Sequence, residues 1–354
     1  MSGELYHIIA FLLAHTVVLW STPVVKTVGL KSGYVDKPGE RKVHDRPMVR
    51  LGGVSIFIGT LVALLLVWWL GAFKGLPPQK EWEVWGVTIG GLFFFLIGLA
   101  DDLFNLTPLS RLIMQIVVAV FAWQTGVRID FLSVPLGGLF FLDWLSLPLT
   151  VIWLVGMANA INWIDGLDGL AAGVSGICAV VMLMVTLAMH QPAAALIAAA
   201  LAGGALGFLR YNFNPAQIFM GDGGAYFMGF TLAGVGVIGL VKTTAITAVA
   251  VTAVLLPYLI LAVPILDMFT VIVGRLSNGK SPFIADKRHL HHRLLEAGLS
   301  HRSTVLFIYS LTFWVGSLAL GFSNVPSGWG FAIGATLLLS YTSWQFWRSR
   351  RDGE

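Results

Sequence analysis

Two adjacent carboxylates, Asp101 and Asp102, directly follow the apolar run GLFFFLIGLA. Neighbouring acids at a helix end repel one another unless a cation lies beside them. Mg²⁺ suits such a place, because it takes a few carboxylate oxygens together with substrate phosphate oxygens. A second polar set, Asn162, Asp165 and Asp168 in NWIDGLDG, recurs every three residues and would share one face of a helix. Gly166 and Gly169 within it let backbone approach a ligand closely. A capping turn accounts for one Asp there but poorly for three polar groups. A third acid, Asp222, stands among glycines in FMGDGG, where little would obstruct a metal. Phe219 in that stretch can stack on a nucleobase or simply pack.

A fourth cluster is basic. His289, His291 and His292 lie in DKRHLHHRL beside Lys287, Arg288 and Arg293. Imidazoles among cations make charge-assisted donors for a diphosphate. Zinc is the competing ligand, since three histidines can coordinate it, but the flanking cations would oppose a bound metal ion. Gly274, Gly279, Lys280 and Ser281 fit the G-x-x-x-x-G-K-S pattern of a nucleotide-binding loop. That loop works between a strand and a helix of a parallel sheet, and this copy follows an apolar span, so the pattern is rejected. Arg50, followed by Gly52 and Gly53, can reach lipid headgroups or a substrate phosphate. Asp267 in PILDMF can pair structurally with Arg275 or a neighbouring helix, or serve function.

These groups interrupt an otherwise apolar chain. Of 354 residues, 57% are hydrophobic and 11% charged, far from a soluble domain. The composition predicts an all-α, polytopic integral membrane bundle forming a single domain over 1–354. At about 20 residues per bilayer span, helices are expected near 5–25, 53–70, 84–100, 109–125, 146–161, 169–189, 192–209, 224–240, 245–273, 303–321 and 329–347, about eleven in all. Pro257 and Pro264 interrupt the ninth, and Trp68, Trp69, Trp82 and Trp85 read as an interfacial aromatic belt. Glu4 near the start argues for a retained first helix over a cleaved signal. Cys178, the single cysteine, offers neither a disulfide nor a cysteine metal site. The largest polar stretches are 26–52 and 274–302, the second carrying the histidines.

The net charge of +4 raises nucleic acid as a partner, but the bases are sorted by membrane side, and none is expected. One set of connections holds Lys26, Lys31, Lys37, Arg41, Lys42, Arg46, Arg50, Arg111, Arg210, Arg275, Lys280, Lys287, Arg288, Arg293, Arg302, Arg348, Arg350 and Arg351. The opposite set holds Lys74, Lys80, Arg128 and Lys242. Because Lys and Arg accumulate in cytoplasmic loops, the N-terminus is expected outside and the C-terminus in the cytoplasm. All four polar clusters then fall on the cytoplasmic side. Ionisable groups at a membrane are costly and mark function by default, so one convergent site facing the cytosol is expected.

Taken together, the paired aspartates, NWIDGLDGLA, FMGDGG and HLHHRL, in this order between about Arg46 and Arg293, resemble the polyprenyl-phosphate N-acetylhexosamine-1-phosphate transferase family. The eleven spans and the HLHH form are similar to its bacterial branch that uses UDP-N-acetylglucosamine. The resemblance implies Mg-dependent transfer of a sugar 1-phosphate from a UDP-sugar to undecaprenyl phosphate, with release of UMP, at the bacterial plasma membrane, starting a cell-envelope glycan. It implies Mg²⁺ as cofactor, with Mn²⁺ able to substitute, and a homodimer. By the same resemblance Asp222 is the principal metal ligand, and Asp101 and Asp102 lie beside the metal and acceptor phosphate, Asp102 as a second ligand. Asn162, Asp165, Gly166, Leu167 and Asp168 line the nucleotide pocket, Asn212 and Phe219 hold the uridine, and His289, His291 and His292 contact the donor diphosphate. Ala225-Tyr226 departs from the small polar residues common after the metal loop, which weakens assignment of the donor sugar. Two alternatives stay open: the muramoyl-pentapeptide transferase of peptidoglycan synthesis, and a secondary transporter, since intramembrane acids and broken helices also mark ion pathways. For the transfer, direct attack of the lipid phosphate and a route through an aspartyl-phosphate are both open.

Overall fold

The computed structural model describes residues 3–36, 47–134, 138–241, 250–279, 288–323 and 325–351. Its helices in order are α1 (Gly3–Lys31), α2 (Gly52–Trp69), α3 (Pro78–Phe104), α4 (Pro108–Gln124), α5 (Ser146–Ile164), α6 (Leu170–Ala188), α7 (Pro192–Asn212), α8 (Gly221–Val235), α9 (Ala250–Ile260), α10 (Ala262–Leu276), α11 (Leu290–Glu296), α12 (His301–Phe322) and α13 (Gly328–Arg351). The chain is an all-α polytopic bundle. With no water in hydrocarbon to take backbone hydrogen bonds, helices are the way an apolar chain satisfies its own N–H and C=O groups.

Eight helical segments among the described residues are long and apolar enough to cross a membrane: Gly3–Lys31, Gly52–Trp69, Pro78–Phe104, Asp143–Ile164, Leu170–Ala188, Pro192–Asn212, Gly221–Val241 and His301–Phe322. The other expected spans are helical but differ. α4 has 17 residues. The ninth divides at Leu261 into α9 and α10, one residue beyond the turn that carries Pro257, whose ring and missing N–H disrupt a regular helix. Residues 242–249, which include its start, lie outside the described residues, as do Lys37, Arg41, Lys42, Arg46, Lys242, Lys280, Ser281 and Lys287.

Two small antiparallel ribbons were not expected from the sequence. β1 (Val35–Asp36) pairs with β2 (Met48–Val49), and β3 (Phe131–Val134) pairs with β4 (Gly138–Phe141). The first bears on the site. It delivers the chain to Val49, whose carbonyl accepts the Phe219 N–H at 2.9 Å, while Gly52 N–H and Gly53 N–H donate to the carbonyls of Phe219 and Met220 at 2.9 and 2.7 Å. The segment before α2 is thereby tied to the segment before α8, with Arg50 between the two anchors.

α8 is the innermost element, packed by α2, α3, α5 and α7. Every residue along it is buried except Asp222. The outer faces carry exposed Leu12, Trp20, Trp69 and Trp82, as lipid-facing surfaces should.

Candidate active site

Local rules fix where the acids stand. α3 ends at Asn105, whose left-handed φ of 51° turns the chain. Thr107 then caps α4, its hydroxyl accepting the Ser110 N–H, with Pro108 at the first helical position. Asp101 braces this turn: one oxygen accepts the Leu106 N–H at 2.8 Å and the other pairs with Arg111. Asp102 meets the start of α8. Its Oδ1 accepts the Asp222 N–H and its Oδ2 the Gly223 N–H, each at 3.0 Å. These are among the unpaired donors at the start of α8, where a negative charge also meets the positive end of the helix dipole. Gly221 supplies the φ of +75° that starts α8 here, and any side chain on it would run into the Arg50 carbonyl.

The NWIDGLDG stretch leaves α5 and turns into α6. Asn162 donates from Nδ2 to Asp222 Oδ1 at 2.7 Å. Asp168 Oδ2 accepts from Asn214 Nδ2 and from the Ala216 N–H, both at 3.0 Å, fixing the loop after α7. Asp165 differs from its neighbours, because among the described hydrogen bonds its carboxylate accepts none. Enclosure by protein, reinforced by the nearby Asp222 carboxylate, raises Asp165 to about 7. Arg50, half-exposed, approaches this group from the cleft, with Nη2 at 3.8 Å from Asp222 Oδ1 and 3.9 Å from Asp102 Oδ1.

The histidines reach the same place from the far end of the chain. His289 Nδ1 lies 2.8 Å from Asp267 Oδ2, and the Leu290 N–H donates to Asp267 Oδ1 at 2.6 Å. Asp267 therefore pairs with the His289 segment, and Arg275 instead lies over the Trp163 ring at 4.9 Å. His291 is buried, neither ring nitrogen has a hydrogen-bond partner, and the ring abuts Gly166, where a methyl group would overlap it. Burial, with His292 and His289 alongside, holds His291 down to about 3, so it is neutral near pH 7. His292 packs 4.3 Å from the His291 ring.

The expected convergence is present: Arg50, Asp102, Asn162, Asp165 and Asp222 share one cleft, with Gly166 and His291 at its edge. Other expected site residues are buried or half-buried around it. Asn212 is 2% exposed, and its amide accepts the Gly169 N–H at 3.1 Å and donates to the Ile218 carbonyl at 3.0 Å. In this arrangement both ends of its amide serve backbone, so Asn212 braces the start of α6 against the loop before α8. Leu167 is likewise buried. Phe219 is half-buried, and its backbone ties the two loops together. Sequence reasoning missed His301, whose Nε2 accepts the Asp168 N–H at 3.1 Å, and Arg111, partner of Asp101. The basic residue next to each acid cluster was the available signal for Arg111; nothing in the sequence marked His301.

The donor chemistry discriminates among metals. No three Asp, Glu, His or Cys side chains enclose a common point among the described residues. His289, His291 and His292 do not converge on a zinc site among the described residues. Carboxylate oxygens at a partly open cleft fit instead a hard cation that takes one or two protein ligands and completes its shell with phosphate and water. Asp222, with its partly exposed carboxylate, suits that role. Asp102 has each oxygen already engaged by an amide.

Residues 84–240 match the family model described as Glycosyl transferase family 4. A protein of Bacillus subtilis (strain 168) called probable undecaprenyl-phosphate N-acetylglucosaminyl 1-phosphate transferase is 38% identical over 338 residues, covering 95% of this chain and 86% of the relative. The decaprenyl-phosphate N-acetylglucosaminephosphotransferase of Mycolicibacterium smegmatis is 37% identical over 330 residues, covering 88% and 80%. The undecaprenyl-phosphate alpha-N-acetylglucosaminyl 1-phosphate transferase of Salmonella typhi is 28% identical over 299 residues, covering 80% and 75%.

Proposed function

The chain belongs to glycosyl transferase family 4, and from that premise we propose that it transfers N-acetylglucosamine 1-phosphate from UDP-N-acetylglucosamine to undecaprenyl phosphate, releasing UMP. The observation that carries this reading is the meeting of Arg50, Asn162, Asp165 and Asp222 in one cleft. A carboxylate suited to a cation and an arginine suited to a phosphate lie there at the ends of membrane helices, where a lipid phosphate and a soluble nucleotide can meet.

In the reaction an oxygen of the lipid phosphate attacks the β-phosphorus of the donor. The bond from that phosphorus to the oxygen bridging to the α-phosphate breaks, and UMP departs with the electron pair. Mg²⁺, held by Asp222, would neutralise the diphosphate and the leaving group. Arg50, at the mouth of the cleft, supplies a bidentate-capable cation to a phosphate. Asp102 holds Asp222 in place through its backbone. Asp165, raised to about 7, can accept a proton from the lipid phosphate near neutral pH. Catalysis by such a site is positioning and electrostatics.

The orientation with N-terminus outside and cleft toward the cytosol of a bacterial plasma membrane follows from the distribution of bases and supplies cytosolic nucleotide to the site. A transporter would need its acids near mid-membrane and open to both faces. Asp101 and Asp102 at the end of α3, Asp165 just beyond α5 and Asp222 at the start of α8 favour the enzyme. The test is purified protein in detergent with undecaprenyl phosphate, Mg²⁺ and a panel of UDP-sugars, including UDP-N-acetylmuramoyl-pentapeptide. Lipid-dependent UMP release with UDP-N-acetylglucosamine is expected. Its absence would overturn the reading, and preference for the muramoyl-pentapeptide donor would replace it by the sister activity.

A further inference from the structure

Asp267 is a carboxylate in an apolar helix, with its side chain only 2% exposed. A buried charge persists only when paired and hydrogen-bonded. Its partners are specific: the Nδ1 of His289 and the main-chain N–H of Leu290. Both belong to the segment leading into α11, distant in sequence from α10. Two turns further along α10, the buried Arg275 lies over the Trp163 ring at 4.9 Å. Trp163 meets His289 edge to face, with centroids 6.1 Å apart and planes at 79°. A closed chain of contacts thus runs Asp267, His289, Trp163, Arg275 and back along α10. Trp163 directly follows Asn162, the residue that holds Asp222, so the chain ties the histidine segment to the acidic cleft.

We propose that Asp267 is a positioning residue that fixes the His289 ring through Nδ1 and so presents Nε2 to the donor diphosphate. This rests on the transfer reading above. The carboxylate is only an acceptor, so Nδ1 carries a hydrogen and Nε2 is the atom left for the ligand. A His289 that also donates from Nε2 to a phosphate is an imidazolium, and Asp267 provides the compensating charge in a place closed to water. His291, stacked on His289 at 5.6 Å with ring planes 13° apart, stays neutral beside it. A neutral His291 at this spacing adds no like charge beside the His289 ring.

The experiment compares wild type with Asp267→Asn, His289→Gln and the double variant, reading KM for UDP-N-acetylglucosamine, KM for undecaprenyl phosphate, kcat and thermal unfolding in detergent. Asn keeps the shape and an acceptor for one of the two hydrogen bonds but removes the charge. Asp267→Asn is expected to raise the nucleotide KM about tenfold or more, the scale of a hydrogen bond to a charged group, and to leave the lipid KM unchanged. The double variant is expected to be no worse than the poorer single one, the mark of two residues acting as a unit. A nucleotide KM unchanged in Asp267→Asn, equal losses in both KM values, or additive losses in the double variant would overturn the proposal. Should Asp267→Asn fail to fold, His289→Gln decides alone, because an unaltered nucleotide KM in that variant leaves Asp267 nothing to position. Wild-type protein without lipid-dependent UMP release would instead defeat the transfer reading itself.

Discussion

Asp102 holds Asp222 by its backbone rather than through its side chain: the two oxygens of Asp102 accept the N–H groups of Asp222 and Gly223, each at 3.0 Å. The first acidic motif therefore acts on the third by fixing where α8 begins. This divides the acids by task. Asp101, Asp102, Asp168 and Asp267 hold backbone or a basic partner, while Asp222 and Asp165 keep capacity for a ligand.

Replacing Asp102 should consequently lower stability as well as activity. Loss of a helix-capping carboxylate costs about 1–2 kcal/mol, and the two amides at a buried helix start lose their partner. Asp102→Ala is expected to unfold several degrees below wild type in detergent. Asp102→Asn, which retains one acceptor oxygen for two donors, should fall between. Equal melting temperatures for all three proteins would show that the two amide bonds carry no weight.

Asp165 sets a pH dependence. Its pKa in the folded protein is about 7, against the usual 3.8, through burial and the Asp222 carboxylate. Between those values the native protein binds more protons than the unfolded chain, so stability falls as pH rises from about 4 to 7 on account of this group and levels off above. A divalent cation that favours the ionised form should oppose that trend, stabilising more at pH 8 than at pH 5.5. Thermal unfolding across this range, with and without Mg²⁺, measures both slopes. Asp165→Asn should flatten the cation-free curve; an unchanged curve would remove Asp165 from the account.

Gly166 and His291 form another linked pair. A methyl at 166 would overlap the His291 ring, which is enclosed and not free to swing aside. Gly166→Ala should therefore reduce transfer at least about tenfold while the protein stays folded, since displacing a binding group by about 1 Å is enough for such losses. Because both changes act on one contact, Gly166→Ala combined with His291→Ala should lose little more than His291→Ala alone. Steady-state kinetics of the three variants decides it, and full activity in Gly166→Ala would mean that the contact is slack.

Much of this was legible in the sequence because membrane cost makes polar residues conspicuous. Asp101, Asp102, Asp165, Asp168 and Asp222 stood out against hydrocarbon-length runs, and the same cost argument pointed to one shared region. What composition could not assign was which acids face a ligand. Asp168 and Asp165 look alike in NWIDGLDG, yet one is taken by Asn214 and the Ala216 amide and the other is not. The bracing contacts of Asn212 were hidden for the same reason, since its partners Gly169 and Ile218 arrive from two other turns. His301 has no local pattern at all; only the packing of α12 against α6 brings it to Asp168. The break at Leu261 was foreshadowed by Pro257 and Pro264, whereas the ribbon that carries Arg50 into place, at two residues per strand, is too short for alternation to reveal.

The close contact of α3 with α8 offers a last test of whether helix packing sets the geometry of the cleft. Gly98 faces the start of α8, and a methyl there would overlap the backbone carbonyl of Asp222 and the Gly223 nitrogen. Backbone cannot rotate away as a side chain can, so Gly98→Ala must push α8 from α3 and stretch the Asp102 bonds. Overpacking of this kind costs about 1–3 kcal/mol. Gly90, eight residues earlier on the same helix, meets the ring of Phe230 instead, which stacks on Phe94 at 4.4 Å, far along α8 from Asp222. Gly90→Ala is therefore the control. Both variants are expected to melt below wild type, but only Gly98→Ala should lose activity per folded molecule, by about tenfold or more on the positioning argument. Activity lost equally in both, or in neither, would show that the α3–α8 contact supports the bundle without setting the position of Asp222.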